Sequence, residues 1–290
     1  MIETTASKSF AMEKRGQRVV RSPFVWLNLL CLDAPLVAIA WESLFARSFG
    51  FPIAHGATAA LFFTAWLIYL ADRFGDSFAV DLRGLSSLRQ RFCRRHQQAW
   101  LAGLVGVATA DLVLIGTALD RRSILLGSAL GLLALIYLFL NQAIPSIWRR
   151  LPLKETSIGF LFAAGTIVPL GQSLTNAVLP AWILFACLCS LNCLSIAIWE
   201  RELDVAQKRI SLATAFRSIG RYLLTVLLLL SLTSLVATIF IAGGKSVCLC
   251  VAVSALLLAA VHFCRNKFNA DVRTALADLV LLTPIAALVL

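Results

Sequence analysis

Long unbroken apolar runs divided by short polar stretches make up most of this chain, and within the runs apolar and polar positions do not alternate as they do in half-buried strands. A run of about 20 residues in an α-helix, at 1.5 Å rise per residue, matches the roughly 30 Å hydrocarbon core of a bilayer. Nine such runs are predicted, at residues 23–45, 52–74, 98–118, 123–142, 157–176, 179–199, 220–242, 246–264 and 273–290. The expected fold is therefore all-α and polytopic, with a cytoplasmic N-terminal tail over residues 1–22 and a single nine-helix transmembrane domain over residues 23–290.

Composition points the same way. With 60% hydrophobic and 14% charged residues in 290, a soluble fold would expose far too much apolar surface, so the chain reads as an integral membrane protein. The continuous runs also exclude a transmembrane barrel, whose strands alternate.

Charge then orients it. Lys and Arg number five in the tail and, counting Arg73, Arg221 and Arg273 at the run edges, six, three, five and three around the segments after runs two, four, six and eight, against only Arg47, Arg121, Arg122 and Lys245 on the other side. This bias places the N-terminus in the cytoplasm. The net charge of +11 largely follows from it, so nucleic acid is not an expected partner. The basic tail passes directly into a run of spanning length without a small-residue cleavage pattern, which reads as a retained anchor. Seven of the eight cysteines fall in or beside runs and Cys93 in a loop, forming neither a disulfide framework nor a zinc-ligand spacing. His55, His96 and His262 are scattered.

The chemistry lies at two cytoplasmic run ends. Asp72 and Asp76 close the second run, and Glu200 and Asp204 close the sixth. Residues four apart share a helix face, so each pair offers two carboxylates to a hard divalent cation. Both pairs are followed by cations, and the second unit echoes the first four spans later, which suggests two pseudo-symmetric sites facing one central cavity. A diphosphate sits among carboxylates only if divalent ions intervene, and Mg²⁺ takes one or two carboxylates together with phosphate oxygens. The alternative is that the four acids mark the membrane boundary, paired with Arg73, Arg201 or Lys208. The Arg-rich loop 83–95 reads as topology rather than as a binding patch.

In layout over nearly the whole chain, and in sequence over residues 66–81, 137–170 and 192–217, the protein resembles the UbiA superfamily of membrane prenyltransferases. Asp72 and Asp76 match the acids of that family's first Asn-xxx-Asp-xxx-Asp motif, while Glu200 and Asp204 match two places of its second. The basic stretch from Arg149 to Lys154 looks like the family's segment between helices four and five. Two positions depart from the pattern: Ile68 stands in place of the leading Asn, and Lys208 in place of a further acid found in some members. Asp81, nine residues beyond Asp72, is a candidate replacement ligand.

The resemblance implies nine helices around a cavity, with Asp72, Asp76, Glu200 and Asp204 holding Mg²⁺ and Arg73, Lys154, Lys208 and Arg209 neutralising the diphosphate of an isoprenyl substrate. It further implies prenyl transfer to a lipophilic aromatic or quinone-type acceptor, or, as in some members, cyclisation of the chain itself. A plasma membrane supplied with cytoplasmic Mg²⁺ and prenyl diphosphates suits either reaction. A non-catalytic isoprenoid-binding protein, or a transporter using Asp111 and Asp278 as a proton path, belongs to a different class.

Interior polar residues add candidates. Asp33, Asp111 and Asp278 lie inside runs, where an ionisable group is costly and functional by default. Asp33 reads equally as a base lining the cavity and as a hydrogen-bonded structural acid. Asn28, Asn141 and Asn192 read as interhelical hydrogen-bond partners or substrate ligands. Trp66, Tyr69, Tyr137 and Trp199 read as cavity aromatics facing a carbocation or as interface anchors.

Overall fold

The computed structural model describes residues 23–78, 86–144, 146–150, 153–170 and 177–289. The expected tail 1–22, Asp81 and Arg83 lie outside the described residues, as do the side chains of Arg149 and Arg150. The elements in chain order are α1 (Pro23–Leu29), α2 (Asp33–Phe49), α3 (His55–Phe78), α4 (Leu88–Arg95), α5 (Gln97–Ala118), α6 (Arg121–Ala143), α7 (Ile147–Arg150) and α8 (Lys154–Gly165). They continue with α9 (Val178–Trp199), α10 (Arg201–Ala206), α11 (Leu212–Ala215), α12 (Ile219–Phe240), α13 (Lys245–Phe263), α14 (Ala270–Leu279) and α15 (Thr283–Val289).

Among the described residues there is no strand, and seven helical stretches are long and apolar enough to cross a membrane. These are α3, α5, α6, α9, α12, α13 and the stretch Ala270–Val289. Their large apolar side chains point outward, as lipid contact requires; Leu112 is 70% exposed and Ile239 78%. The chain is an integral membrane protein.

Two of the predicted runs take another form. Run 23–45 breaks over Leu30–Leu32, where Cys31 adopts a left-handed φ of 55°, and restarts as the 17-residue α2. Asp33 stabilises that restart by accepting the Ala34 amide at 2.9 Å, and Pro35 sits in the first turn, where a missing N–H costs nothing. Run 157–176 becomes the 12-residue α8 followed by a 3₁₀ turn at Val168–Leu170, with residues 171–176 outside the described set.

Packing divides the bundle into a solid half and a hollow half. In the solid half α2, α9, α13 and Ala270–Val289 bury Trp41, Phe45, Phe185, Leu188, Val247 and Val251, and Trp41 stacks on Phe185 with ring centroids 4.1 Å apart. The first and last spans are tied together here: Trp41 Nε1 donates to Leu281 O (2.8 Å), Arg47 to Leu288 O (2.9 Å) and Asn28 to Asp278 (3.0 Å). α8 meets α9 at Gly159, so closely that a Cβ there would lie 2.4 Å from the Ser190 backbone nitrogen. Opposite, α6 buries only Ser123 and Tyr137. Between α3, α5, α6 and α8 lies a cavity of about 540 Å³.

Candidate functional site

The two acidic segments are brought together at the end of this cavity. Asp72 and Asp76 ride the last turns of α3, where Asp72 lines the cavity wall. Glu200 caps the end of α9, and Asp204 lies on the short α10 that follows. Three pairs of residues link the segments. Arg209 donates to Asp76 Oδ2 at 2.6 Å and to the Asp76 carbonyl at 3.3 Å. Arg89 on α4 forms an ion pair with Glu200, whose other oxygen accepts from Thr274 at 3.1 Å. Gln90 and Gln207 exchange amide hydrogen bonds of 3.1 and 3.0 Å.

Local backbone aims these groups. Ser87 and Gln90 form a capping box that starts α4, which fixes Arg89 one position after the first helical residue. After α10 the chain turns at Lys208, a non-glycine residue with φ of 55°, and Arg209 is delivered to Asp76. A side chain with β-carbon rarely holds that conformation unless its surroundings impose it. Lys208 itself is exposed on the turn.

Lys154, the first residue of α8, and Arg209 are both within electrostatic reach of Asp72 and of Asp204. Arg73 faces inward toward Asp72, Asp76, Asp33 and the thiol of Cys31. Burial pushes the Asp204 carboxyl from its usual 3.8 up to about 6; the Ser211 hydroxyl lowers it, Glu200 raises it, and Lys154 and Arg209 lower it. The native state thus holds this proton more tightly than the unfolded chain does. The resulting contribution to stability is complete below the unfolded value and lost as pH rises through about 6.

The donor set at the mouth is carboxylate oxygen, the type a hard cation takes. Among the described residues no three His, Cys, Asp or Glu side chains form a metal-binding group. Each segment instead offers two carboxylates, a donor type that could hold a hard cation whose remaining places are filled by water. In this form Asp76 and Glu200 are engaged by Arg209 and Arg89 rather than by the Arg73, Arg201 or Lys208 that sequence proximity suggested; Arg201 donates instead to the Ala213 carbonyl at 3.0 Å. Replacing Arg209 by Met and Asp76 by Asn, singly and together, should reveal a coupling of about 1 kcal/mol in chemical unfolding, since the pair is partly solvated. Strict additivity would rule the contact out.

The cavity candidates separate. Tyr69 and Tyr137 line the cavity beside Asp72, whereas Asp33, Asn141, Asn192 and Trp199 do not. Asp33 accepts from Asn28 at 2.6 Å, and the same amide reaches Asp278 at 3.0 Å; Asn192 also donates to Asp278, at 3.1 Å. Asp33 is therefore a hydrogen-bonded structural acid at the restart of the first span. Asn192 and Asp278, with Tyr69 and Gly159, border a second cavity of only about 20 Å³, room for about one water. Trp199 donates to His262 Nδ1 at 2.9 Å and lies beneath the Arg273 guanidinium, 5.4 Å from its ring centroid. Asn141 is half-buried near the end of α6.

Two participants escape the sequence reading. Arg89 belongs to a loop read as topological charge, although Ser87-x-x-Gln90 is a legible capping box and marks that loop as a structured helix. Asp111 is visible as an interior acid, but only the fold places it in the cavity wall opposite Thr64, whose hydroxyl reaches both of its oxygens at 3.0 and 2.9 Å. Comparison with family models, curated proteins and solved structures gives no match.

Proposed function

We propose that the protein is an enzyme of the UbiA type that ionises an isoprenyl diphosphate, with Mg²⁺, at the cytoplasmic face of the plasma membrane and transfers the prenyl group to a lipophilic aromatic or quinone-type acceptor. The observation that carries this reading is the meeting of both acidic segments, with Arg209 and Lys154 within electrostatic reach of each, beside an apolar cavity that Asp72 lines. In the same reading α2 and α8 complete nine spans, and the N-terminus is cytoplasmic.

The residues divide the work by chemistry. Asp72 and Asp76, and Glu200 and Asp204, would hold Mg²⁺, which would offset the charge that gathers on the leaving diphosphate. Lys154, Arg73 and Arg209 add fixed positive charge at the same place, with Lys208 at the rim. Arg209, which here donates to Asp76, would turn to a phosphate oxygen when substrate binds, leaving the Asp76 carboxylate available as a ligand. The isoprenoid chain lies along α3, where cavity-lining residues from Ala57 to Asp72 span about 22 Å at 1.5 Å per residue. Tyr69 and Tyr137 present aromatic rings near the mouth, suited to an allylic cation.

A second reading, terpene cyclisation, is favoured by Asp111 deep in the cavity, far from where an acceptor would meet the first carbon of the chain.

The test is inorganic pyrophosphate release by detergent-purified protein given geranyl, farnesyl or geranylgeranyl diphosphate. Release should appear with Mg²⁺ and vanish with EDTA, and the organic product should carry the acceptor when a quinone-type or phenolic compound is supplied. If no chain length gives release, with or without acceptors, the protein is a non-catalytic isoprenoid binder.

A further inference from the structure

Among the described residues that line the cavity, Asp111 carries chemistry that the transfer reaction leaves unused. Its side chain is 4% exposed, lies mid-span on α5, and accepts the Thr64 hydroxyl, which is shared between its two oxygens. A carboxylate has about four lone-pair sites, and the Thr64 hydroxyl is the partner found for it in a cavity lined mainly by apolar side chains. In a membrane interior such a group is retained for a partner that arrives with positive charge or an acidic proton.

Depth decides which partner. Thr64 lies eight residues from Asp72 on the same helix, about 12 Å along its axis. An acceptor attacking the first prenyl carbon works at the mouth, beside Asp72. A carboxylate about 12 Å below it meets the distal end of the chain. Positive charge reaches that end only when a distal double bond attacks the first carbon and leaves the cation behind.

We propose that Asp111 is a catalytic base for this second fate of the cation, an inference that rests on the ionising reading above. The carboxylate takes a proton from a carbon adjacent to the cationic centre. The C–H electron pair becomes the new double bond, and a neutral hydrocarbon results. The proton stays on Asp111 until product leaves and water enters the cavity; the diphosphate has already departed with the electrons of the C–O bond. Without an acceptor the protein therefore makes a cyclic hydrocarbon rather than an alcohol.

The experiment compares wild type, Asp111→Asn and Thr64→Val with farnesyl and geranylgeranyl diphosphates and no acceptor, reading pyrophosphate and organic products. Asn preserves the shape and the Thr64 contact but is not a base. In Asp111→Asn the hydrocarbon-to-alcohol ratio, taken per pyrophosphate released, should fall at least about tenfold. An unchanged ratio overturns the proposal.

A second arm is independent of turnover. It measures binding of an isoprenoid in which a protonated tertiary amine replaces the central branched carbon, with pyrophosphate and Mg²⁺ filling the mouth. Binding that weakens at least about tenfold in Asp111→Asn supports the site even if wild type releases no pyrophosphate, in which case the ionising reading alone fails. Equal binding to both proteins, or none to wild type, overturns the site.

Discussion

Replacing Asp72 by Ala should lower pyrophosphate release by about 10²–10³-fold or more while leaving the melting temperature nearly unchanged. The reason is the unequal company kept by the four acids. Asp76 is held by Arg209 and Gln142, and Glu200 by Arg89 and Thr274, so removing either also leaves a guanidinium without its partner. Asp72 instead lines the cavity, close to Asp76 and among Lys154, Arg73 and Arg209. On the proposed reading its removal would delete a ligand to the leaving-group metal and relieve repulsion with Asp76, so chemistry would suffer and the fold would not. Steady-state release, with thermal unfolding on the same preparations, checks both halves. Activity within tenfold of wild type would remove Asp72 from the metal site.

The largest stability loss is expected at a residue with no chemical role. A Cβ on Gly159 would lie 2.4 Å from the Ser190 nitrogen, 2.5 Å from its Oγ and 2.6 Å from its Cα, and two of these atoms are backbone that cannot swing aside. Gly159→Leu must push α8 off α9. A cost of about 3 kcal/mol or more, roughly 6–12 °C in melting temperature, is expected from overpacking at so close a helix crossing. Gly103→Ala, where nothing lies within 4 Å of the added carbon, supplies the control and should be neutral or slightly stabilising. Because α8 begins at Lys154, the displaced helix should also raise KM for the diphosphate. Equal melting of the two variants would contradict the contact.

What the sequence discloses is set by distance along the chain. Membrane spans are legible because a single local property, a long apolar run, decides them. The i, i+4 acid pairs are legible because one helical turn decides them. The break before Asp33 is less so: the signal of Asp33 followed by Pro35 marks a helix start, but it lies inside a continuous apolar run that outweighs it. Gly165 and Pro169 likewise mark the end of α8, ahead of the predicted end at 176. Contacts between distant segments leave no periodic trace. Arg89 and Glu200 are 111 positions apart and Gln90 and Gln207 are 117 apart, so nothing local pairs them. Asp111 shows its cost from sequence alone, whereas Thr64, 47 positions away, and the cavity between them belong to the fold.

The hydrogen bonds that join the first span to the last, from Trp41 to Leu281, Arg47 to Leu288 and Asn28 to Asp278, make the helices a closed ring with a sewn seam. A lipophilic molecule dissolved in one leaflet must pry neighbouring helices apart to reach the interior, and it will open the ring where they are held least firmly. The seam is barred by polar bonds, that of Trp41 fully buried, which lipid cannot replace. On the far side α6 commits only two buried side chains to its neighbours, so on the proposed reading a lipophilic substrate would enter beside α6.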